Sequence, residues 1–494
     1  MDPSHHPSEQ PTSSVNDRLS GDDSFNDDEV IISPRSENHI WRKIDARILP
    51  VASILYLLSW LDRTNVGNAR VAGLQDDLKL TPMQYSTALT VTFVPYVLVE
   101  IPSNLFLKVA GPNLLLPTLV ICWGVVSTLQ GIVHNYAGFL ICRFFLGLFE
   151  GELLPDLTLY LSGFYPCGFF QLHQPRLSTV TASATLSGTF SGLLATAISN
   201  MQNAGRHPAW AWIFILEGLF MVAFGFFSFW MLPSSPATAR FLSQWEKDYV
   251  MEYLRNSRTS DSGDDDLFRW HEVGESFKLL HMWLMMVLAF LIRTITFALG
   301  NFTPSLVHAL GYSPIHTQLM TVPPYTVAFI VTLTIAYISD KYHSWGLTLL
   351  FSSFCSIVGF SIFLSETRST LLYSSLFLTI MGASIITLAI QTWMANNATP
   401  HICRATGISA MNMMANSGSI LLTWLFGTLS IPPRYTMAIT VSLIFLALVT
   451  LLMVLTILYL WDQNNRKARR RANSGREDEP KGLGDSSTWF AYIL

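Results

Sequence analysis

Between Trp210 and Leu232 the chain reads WAWIFILEGLFMVAFGFFSFWML, an unbroken apolar run with a single charged residue, Glu217. That length matches the ~20 residues a helix needs to cross the hydrocarbon core of a bilayer. Lipid offers no partner to a backbone amide, so the run must be helical or part of a closed barrel. A barrel would show ~10-residue segments of alternating hydrophobicity instead. The rest of the chain shares this character: its 494 residues are 50% hydrophobic and 13% charged, with a mean hydropathy of +0.37. Soluble domains run near ~25% charged. So few charges cannot coat this much apolar surface against water, and the chain belongs in a membrane.

A ~19-residue window moved outward from that run places helices at 48–65, 85–107, 114–133, 137–160, 177–201 and 210–232, then at 282–306, 319–338, 345–364, 371–394, 407–429 and 437–461. Residues 48–232 and 282–461 thus form two six-helix halves of nearly equal length. The expected fold is an all-α membrane protein of twelve transmembrane helices, with the hydropathy symmetry of a two-repeat transporter. Residues 1–47 read as a disordered cytosolic arm, polar and acidic in GDDSFNDDE, and 233–281 as a central cytosolic loop. Residues 462–494 read as a cytosolic tail that opens on the basic run RKARRR. No signal peptide is expected, because the first apolar segment begins near Ile48 and is a full span.

Cations gather on the side of the N-terminus: Arg35, Arg42, Lys43 and Arg47, then Lys108, Arg176, the central loop, Lys341, Arg404 and the tail. The opposite side receives Arg70, Lys79, Arg206, Arg368 and Arg434. The positive-inside bias puts both termini in the cytosol, with the basic tail against anionic lipid. A net charge of −4 excludes a generally nucleic-acid-binding surface. Cys122, Cys142, Cys167, Cys355 and Cys403 form no CxxC, so neither a disulfide frame nor a metal site is expected, and they read as small buried apolar residues. No cofactor is expected.

A charge inside a span costs about 2.5–3.5 kcal/mol on insertion scales, so each needs a reason. The first half holds Asp62, Arg63, Glu100, Arg143, Glu150, Glu152, Asp156 and Glu217; the second holds Arg293, with Asp340 and Lys341 at a helix end. Such asymmetry suits a carrier whose first half handles protons and whose second half offers a cation to an anionic substrate. In RFFLGLFEGELLP, Arg143 and Glu150 lie nearly two turns apart on one face, about 10 Å along the axis. Gly147 between them leaves room for a partner helix or for substrate. Arg143 reads as a pathway residue or as half of a structural ion pair. Arg293, in AFLIRTITFALG, sits near the midplane with no acid on its own helix. Its planar fork suits a carboxylate, and pairing with Glu150 or Asp62 is the structural alternative. Asp62 and Arg63 close the first helix, where structural contacts are as good a reading; Glu100 and Glu217 are less informative. Helix five carries small residues at Ser183, Ser187, Gly188, Ser191 and Gly192, a packing surface. Gln391, Trp393, Asn396, Asn397 and Asn412 read first as interhelical hydrogen-bonding residues, and Asn416 as a substrate contact beside Ser-Gly-Ser.

LLSWLDRTNVGNARVAGL, YVLVEIPSN, RFFLGLFEGELLP, WIFILEGLF and LMTVPPYTVA together resemble the fungal allantoate-permease branch of the anion:cation symporters, within the major facilitator superfamily. The resemblance runs from about Lys43 to Trp461. It implies a proton-coupled permease for a small organic anion working by alternating access, in the plasma membrane and as a monomer. It implies substrate binding by Arg143 and Arg293 and proton coupling by Glu150, with Asp62 next in line. The superfamily loop motif survives as Ile338-Ser339-Asp340-Lys341, which implies a cytosolic gate of Asp340 and Lys341 with Arg176. Its first-half counterpart is eroded to LKVAGPN. Glu152 and Asp156 stand where the branch commonly has small residues. Within transport, export of a fungal metabolite is the second reading, and a transporter-like nutrient sensor is a third. An intramembrane enzyme is excluded by the lack of any GxSxG or HExxH.

Overall fold

The computed structural model describes residues 34–493 except 152, 166–174, 200–206, 262–273, 275–276, 343, 399–400, 431–434 and 472–486. The expected arm up to residue 33 lies outside the described residues. So do the side chains of Glu100, Lys108, Glu152, Cys167, Arg176, Cys403 and Arg404.

Twelve helical spans follow in order among the described residues: α1 Pro34–Val71, α2 Pro82–Ala110, α3 Pro112–Gln130, α4 Tyr136–Glu150, α5 Pro175–Ser199, α6 Ala209–Met231, α7 Leu280–His308, α8 Pro314–Tyr342, α9 Trp345–Ser365, α10 Ser369–Asn397, α11 His401–Trp424 and α12 Thr436–Arg471. Eight of these are long and apolar enough by themselves to cross a membrane: α1, α3, α6, α7, α8, α9, α10 and α12. Of the rest, α2 and α11 pack on one another and α5 packs on α8, so a partner helix rather than lipid meets their polar side chains.

Two boundaries differ from the sequence reading. α1 begins at Pro34, so residues 34–47, expected to be disordered, are helical. Ile40, Ile44 and Ile48 stand at helical spacing, and a proline is tolerated in a first turn because its missing N–H has no partner there anyway. The fourth span is cut. α4 ends at Glu150, Gly151 is a turn, and the helix resumes as Leu153–Ser162. Pro155 has no N–H to offer the Gly151 carbonyl, and glycine holds a helix poorly, so the ladder breaks there. The cysteine reading is also amended: Cys355 is buried, but Cys122 and Cys142 are half-buried.

The pairing of helices repeats with a shift of six. α2 packs on α4, α3 on α4 and α3 on α6; α8 packs on α10, α9 on α10 and α9 on α12. Between the halves α2 meets α11 while α8 meets α5, the same contact with the two repeats exchanged. The halves are drawn together at the end where α1 finishes and α2 begins. There Trp424 Nε1 donates to Thr90 Oγ1 at 3.0 Å, and Ser86 Oγ donates to the Thr423 carbonyl at 3.4 Å. Ser191 of α5 binds Asn65 and Asn68 of α1, and Thr189 lies 3.2 Å from Thr326 of α8.

At the other end two segments are tied down. Lys43 Nζ holds both oxygens of Glu246 at 2.8 and 3.1 Å, which fixes the first turn of a helix, Gln244–Asp261, in the central loop. Ser243 and Glu246 cap that helix reciprocally. Burial acts to raise the Glu246 carboxyl, but the Lys43 hydrogen bond and the Ser243 amide outweigh it and hold it below the usual range. Residues 489–493 lie back against the second half. The Ile493 carbonyl accepts from Trp393 Nε1 (2.8 Å) and Asn397 Nδ2 (3.0 Å), and the Ile493 amide donates to Asn397 Oδ1 (2.8 Å). Asn464 grips the Tyr492 backbone at 2.8 Å in both directions, and Lys467 Nζ lies 4.1 Å from the Tyr492 ring centre.

Candidate functional site

Arg63 and Glu150 meet where α1, α2 and α4 come together. Ser59 and Arg63, one turn apart on α1, both reach Glu150 of α4: Arg63 Nε donates to Oε1 at 2.6 Å and Ser59 Oγ donates to the same oxygen at 3.0 Å. Arg63 Nη2 donates to the Tyr96 hydroxyl at 2.8 Å, and the guanidinium lies over the Trp60 and Tyr96 rings. Glu150 is 1% exposed, so this ion pair is shielded from water. The partner of Glu150 is therefore Arg63, which displaces the pairing with Arg293 weighed from sequence.

Arg143 stands on the same helix as Glu150 but has other neighbours. It lies over the Phe139 and Phe214 rings, and its Nε and Nη2 have no hydrogen-bond partner. Gly147 between the two is spent on packing. A Cβ there would collide with the Thr92 carbonyl oxygen of α2, so the space holds a partner helix and not substrate. Asp62 accepts from Ser127 Oγ of α3 at 2.7 Å through Oδ1, while Oδ2 is unpartnered. Arg293 is buried at the centre of α7, 4.5 Å from the Trp60 ring centre, with the Tyr56 hydroxyl close enough to act on it; its Nε has no hydrogen-bond partner among the described residues.

A cavity of ≈ 50 Å³ opens beside these residues, lined by Tyr56, Trp60, Thr185, Thr296, Thr387 and Gln391 among others. That is room for a few waters, so the cavity must widen to take an organic molecule. A smaller cavity of ≈ 20 Å³ lies among Arg63, Tyr96, Arg143, Glu150, Phe297 and Asn301. Trp60 joins the two regions, since it lines the larger cavity and carries both Arg63 and Arg293 against its ring. Asn416 is buried on α11 but lines neither cavity, whereas Gln391 lines the larger one and donates to Asn412 Oδ1 at 3.3 Å.

At the far end of α8 both carboxylate oxygens of Asp340 lack a hydrogen-bond partner among the described residues, and Lys341 Nζ lies 5.7 Å from the Tyr342 ring centre. Arg176 stands in the first turn of α5, but its side chain lies outside the described residues.

Sequence reading singled out Asp62, Arg143, Glu150 and Arg293, all of them buried. It gave no role to Ser59, Trp60, Tyr96 or Ser127. The i, i+4 pair Ser59–Arg63 was the available signal.

Two exchanged six-helix repeats, enclosing buried charges and a small cavity, define a secondary membrane transporter. A family model described as the Major Facilitator Superfamily matches residues 52–423, and the chain belongs to that family. An uncharacterized transporter of Schizosaccharomyces pombe is 32% identical, across 92% of this chain and 89% of its own. The high-affinity nicotinic acid transporter of Saccharomyces cerevisiae is 31% identical, across 94% of this chain and 87% of its own. A bacterial homolog of the human lysosomal transporter Spinster, in an inward-facing unoccupied conformation, shares the fold with a TM-score of 0.64 at 15% identity, covering 83% of this chain and 96% of that one. The protein is a multi-pass membrane transporter and not an enzyme.

Proposed function

We propose that this transporter carries a small organic anion together with a proton across the plasma membrane by alternating access. The observation that supports it most is Arg293: a guanidinium buried at the centre of α7, against the Trp60 ring and paired with no carboxylate among the described residues. A buried charge without a counter-ion is strongly disfavoured, and an anionic cargo supplies that counter-ion. Arg143, also short of partners, is the second contact, from the opposite half. The name of the nicotinic acid transporter relative makes a monocarboxylate the first cargo to try.

Glu150 is the switch in this reading. Protonation cancels the charge that holds Arg63 and frees that guanidinium, so proton and anion act on one electrostatic element. Asp62 is the second proton-handling acid. With the termini in the cytosol, the end closed by α2 on α11 would face outward. Asp340 with Lys341 and Arg176 would then close the inner end; Asp340 has no hydrogen-bond partner among the described residues, and the Arg176 side chain lies outside them. The test is uptake of radiolabelled nicotinate and other small carboxylates into cells lacking their own carriers, with and without a protonophore. Uptake of a neutral solute only, or anion uptake indifferent to the protonophore, would sink the reading.

A further inference from the structure

Three acids and three arginines are buried at the centre of the bundle: Asp62, Glu150 and Glu217, and Arg63, Arg143 and Arg293. Fully ionised, the set is neutral. Two of the acids are provided for: Glu150 by Arg63 and Ser59, and Asp62 by Ser127 with Arg143 close enough to attract it. Glu217 on α6 is not. It is 4% exposed, neither carboxyl oxygen has a hydrogen-bond partner among the described residues, and the charge close enough to act on it there is Asp62, of like sign. α6 is pressed onto α3 beside it, for a Cβ on Gly218 would collide with Thr128. No residue of α3 is ionised, Glu217 is the one charged residue of α6, and α4 brings Arg143 against Phe214, not against Glu217. An ionised carboxylate in that setting is very costly, and a protonated one is not. Asp156 is also buried and without a hydrogen-bond partner among the described residues, but it lies past the break at Gly151 and no member of the cluster acts on it.

We propose that Glu217 is a proton-binding site of the transport cycle, and that its proton balances the anion held at Arg293, one proton for each monovalent anion. With the one transported proton resting on Glu217 and Glu150 ionised again against Arg63, the other five charges sum to one positive charge, left on Arg293. A monocarboxylate then brings the loaded site to zero, the condition under which a buried site alternates without exposing net charge to lipid. Asp62 acts on Glu217 and its Oδ2 has no hydrogen-bond partner among the described residues, so it is the acceptor through which Glu217 exchanges its proton. Release of that proton recharges Glu217 and drives the anion off. This assignment rests on the anion-symport reading, but its first test does not need a substrate.

Infrared difference spectroscopy of the purified full chain at neutral pH should show a protonated, weakly hydrogen-bonded carboxylic acid that is missing in Glu217→Gln and retained, shifted, in Glu217→Asp. If the wild-type and Glu217→Gln spectra match in that region, the assignment is overturned whatever the cargo. In proteoliposomes offered labelled nicotinate, the wild type should accumulate it on an inward proton gradient and ignore an imposed membrane potential. Glu217→Gln should keep nicotinate counterflow within about twofold, lose proton-driven accumulation at least tenfold, and respond to an inside-positive potential. Glu217→Asp should still accumulate on the proton gradient. Accumulation by Glu217→Gln, or its loss in Glu217→Asp with counterflow intact, overturns the proposal and leaves anion symport standing. Absence of nicotinate counterflow in the wild type counts against the monocarboxylate reading, with the infrared result unaffected.

Discussion

Arg63 and Glu150 share a hydrogen bond of 2.6 Å in a site shielded from water, and that closeness sets what each variant should do. Glu150→Gln keeps shape but removes the charge, so Arg63 is held weakly in every state. Proton-driven accumulation should disappear while exchange of labelled for unlabelled substrate stays measurable; accumulation against a gradient would place the switch elsewhere, with Asp62 the next acid. Arg293→Lys keeps charge but not the fork. A hydrogen bond to a charged group contributes about 1.5–3 kcal/mol, so the KM for a carboxylate should rise roughly ten- to a hundredfold. A KM unchanged in Arg293→Lys would mean that the anion is bound by Arg143 without it. The residue types here were legible from sequence, because an ionisable group in a span is conspicuous. Their partners were not, since Ser59, Tyr96 and Ser127 are ordinary span residues until a particular turn of α1 faces α2, α3 and α4.

Among the helices, the feature least visible in advance is the return of residues 489–493 to the second half. The Tyr492 ring is buried between His281 of α7 and Lys467 of α12, 5.3 Å from one ring centre and 4.1 Å from the other side chain. Asn397 and Asn464 supply backbone partners that a β-strand would otherwise need. Removing a buried aromatic side chain costs about 3–5 kcal/mol in a soluble core. Tyr492→Ala should therefore lower the melting temperature of the detergent-solubilised protein by several degrees, and an unchanged melting curve would show the segment to be dispensable. The break after Glu150 belongs to the same scale. Gly151 and Pro155 both announce it in the sequence, but hydropathy is blind to a missing hydrogen bond, so the window runs straight through.

For the whole molecule, orientation and alternation are the open quantities. A cysteine at His134, exposed in the short loop before α4, should react with an impermeant thiol reagent on intact cells. Asn135 is left in place because its side chain caps α4 at the Gly138 amide. A cysteine at Glu252, exposed on the central-loop helix, should react only once the membrane is opened; labelling from outside would invert the topology. The inner gate is tested by charge reversal. Asp340→Arg and Arg176→Asp should each slow transport, and the double reversal should recover part of it. A pair at a wet surface contributes about 0.2–1 kcal/mol, so the effect should be a few-fold at most, and no recovery in the double variant would show that the two never meet.

Hydropathy adds along the chain, and a bilayer screens each segment separately, so the sequence by itself determined the helical membrane fold, its repeat and which charges fall inside helices. Glu217 was visible in the run from Trp210 to Leu232 but carried no meaning there. What only the tertiary structure decided is which charge answers which. Arg63 took Glu150, α2 filled the space beside Gly147, and Glu217 was left facing Asp62 with no cation. The reason is geometric. Pairing at mid-membrane depth depends on the rotation of each helix about its axis, which is set by small residues such as Gly147 and Gly218 meeting a neighbour's backbone. That register is a property of two helices at once, and no single segment contains it.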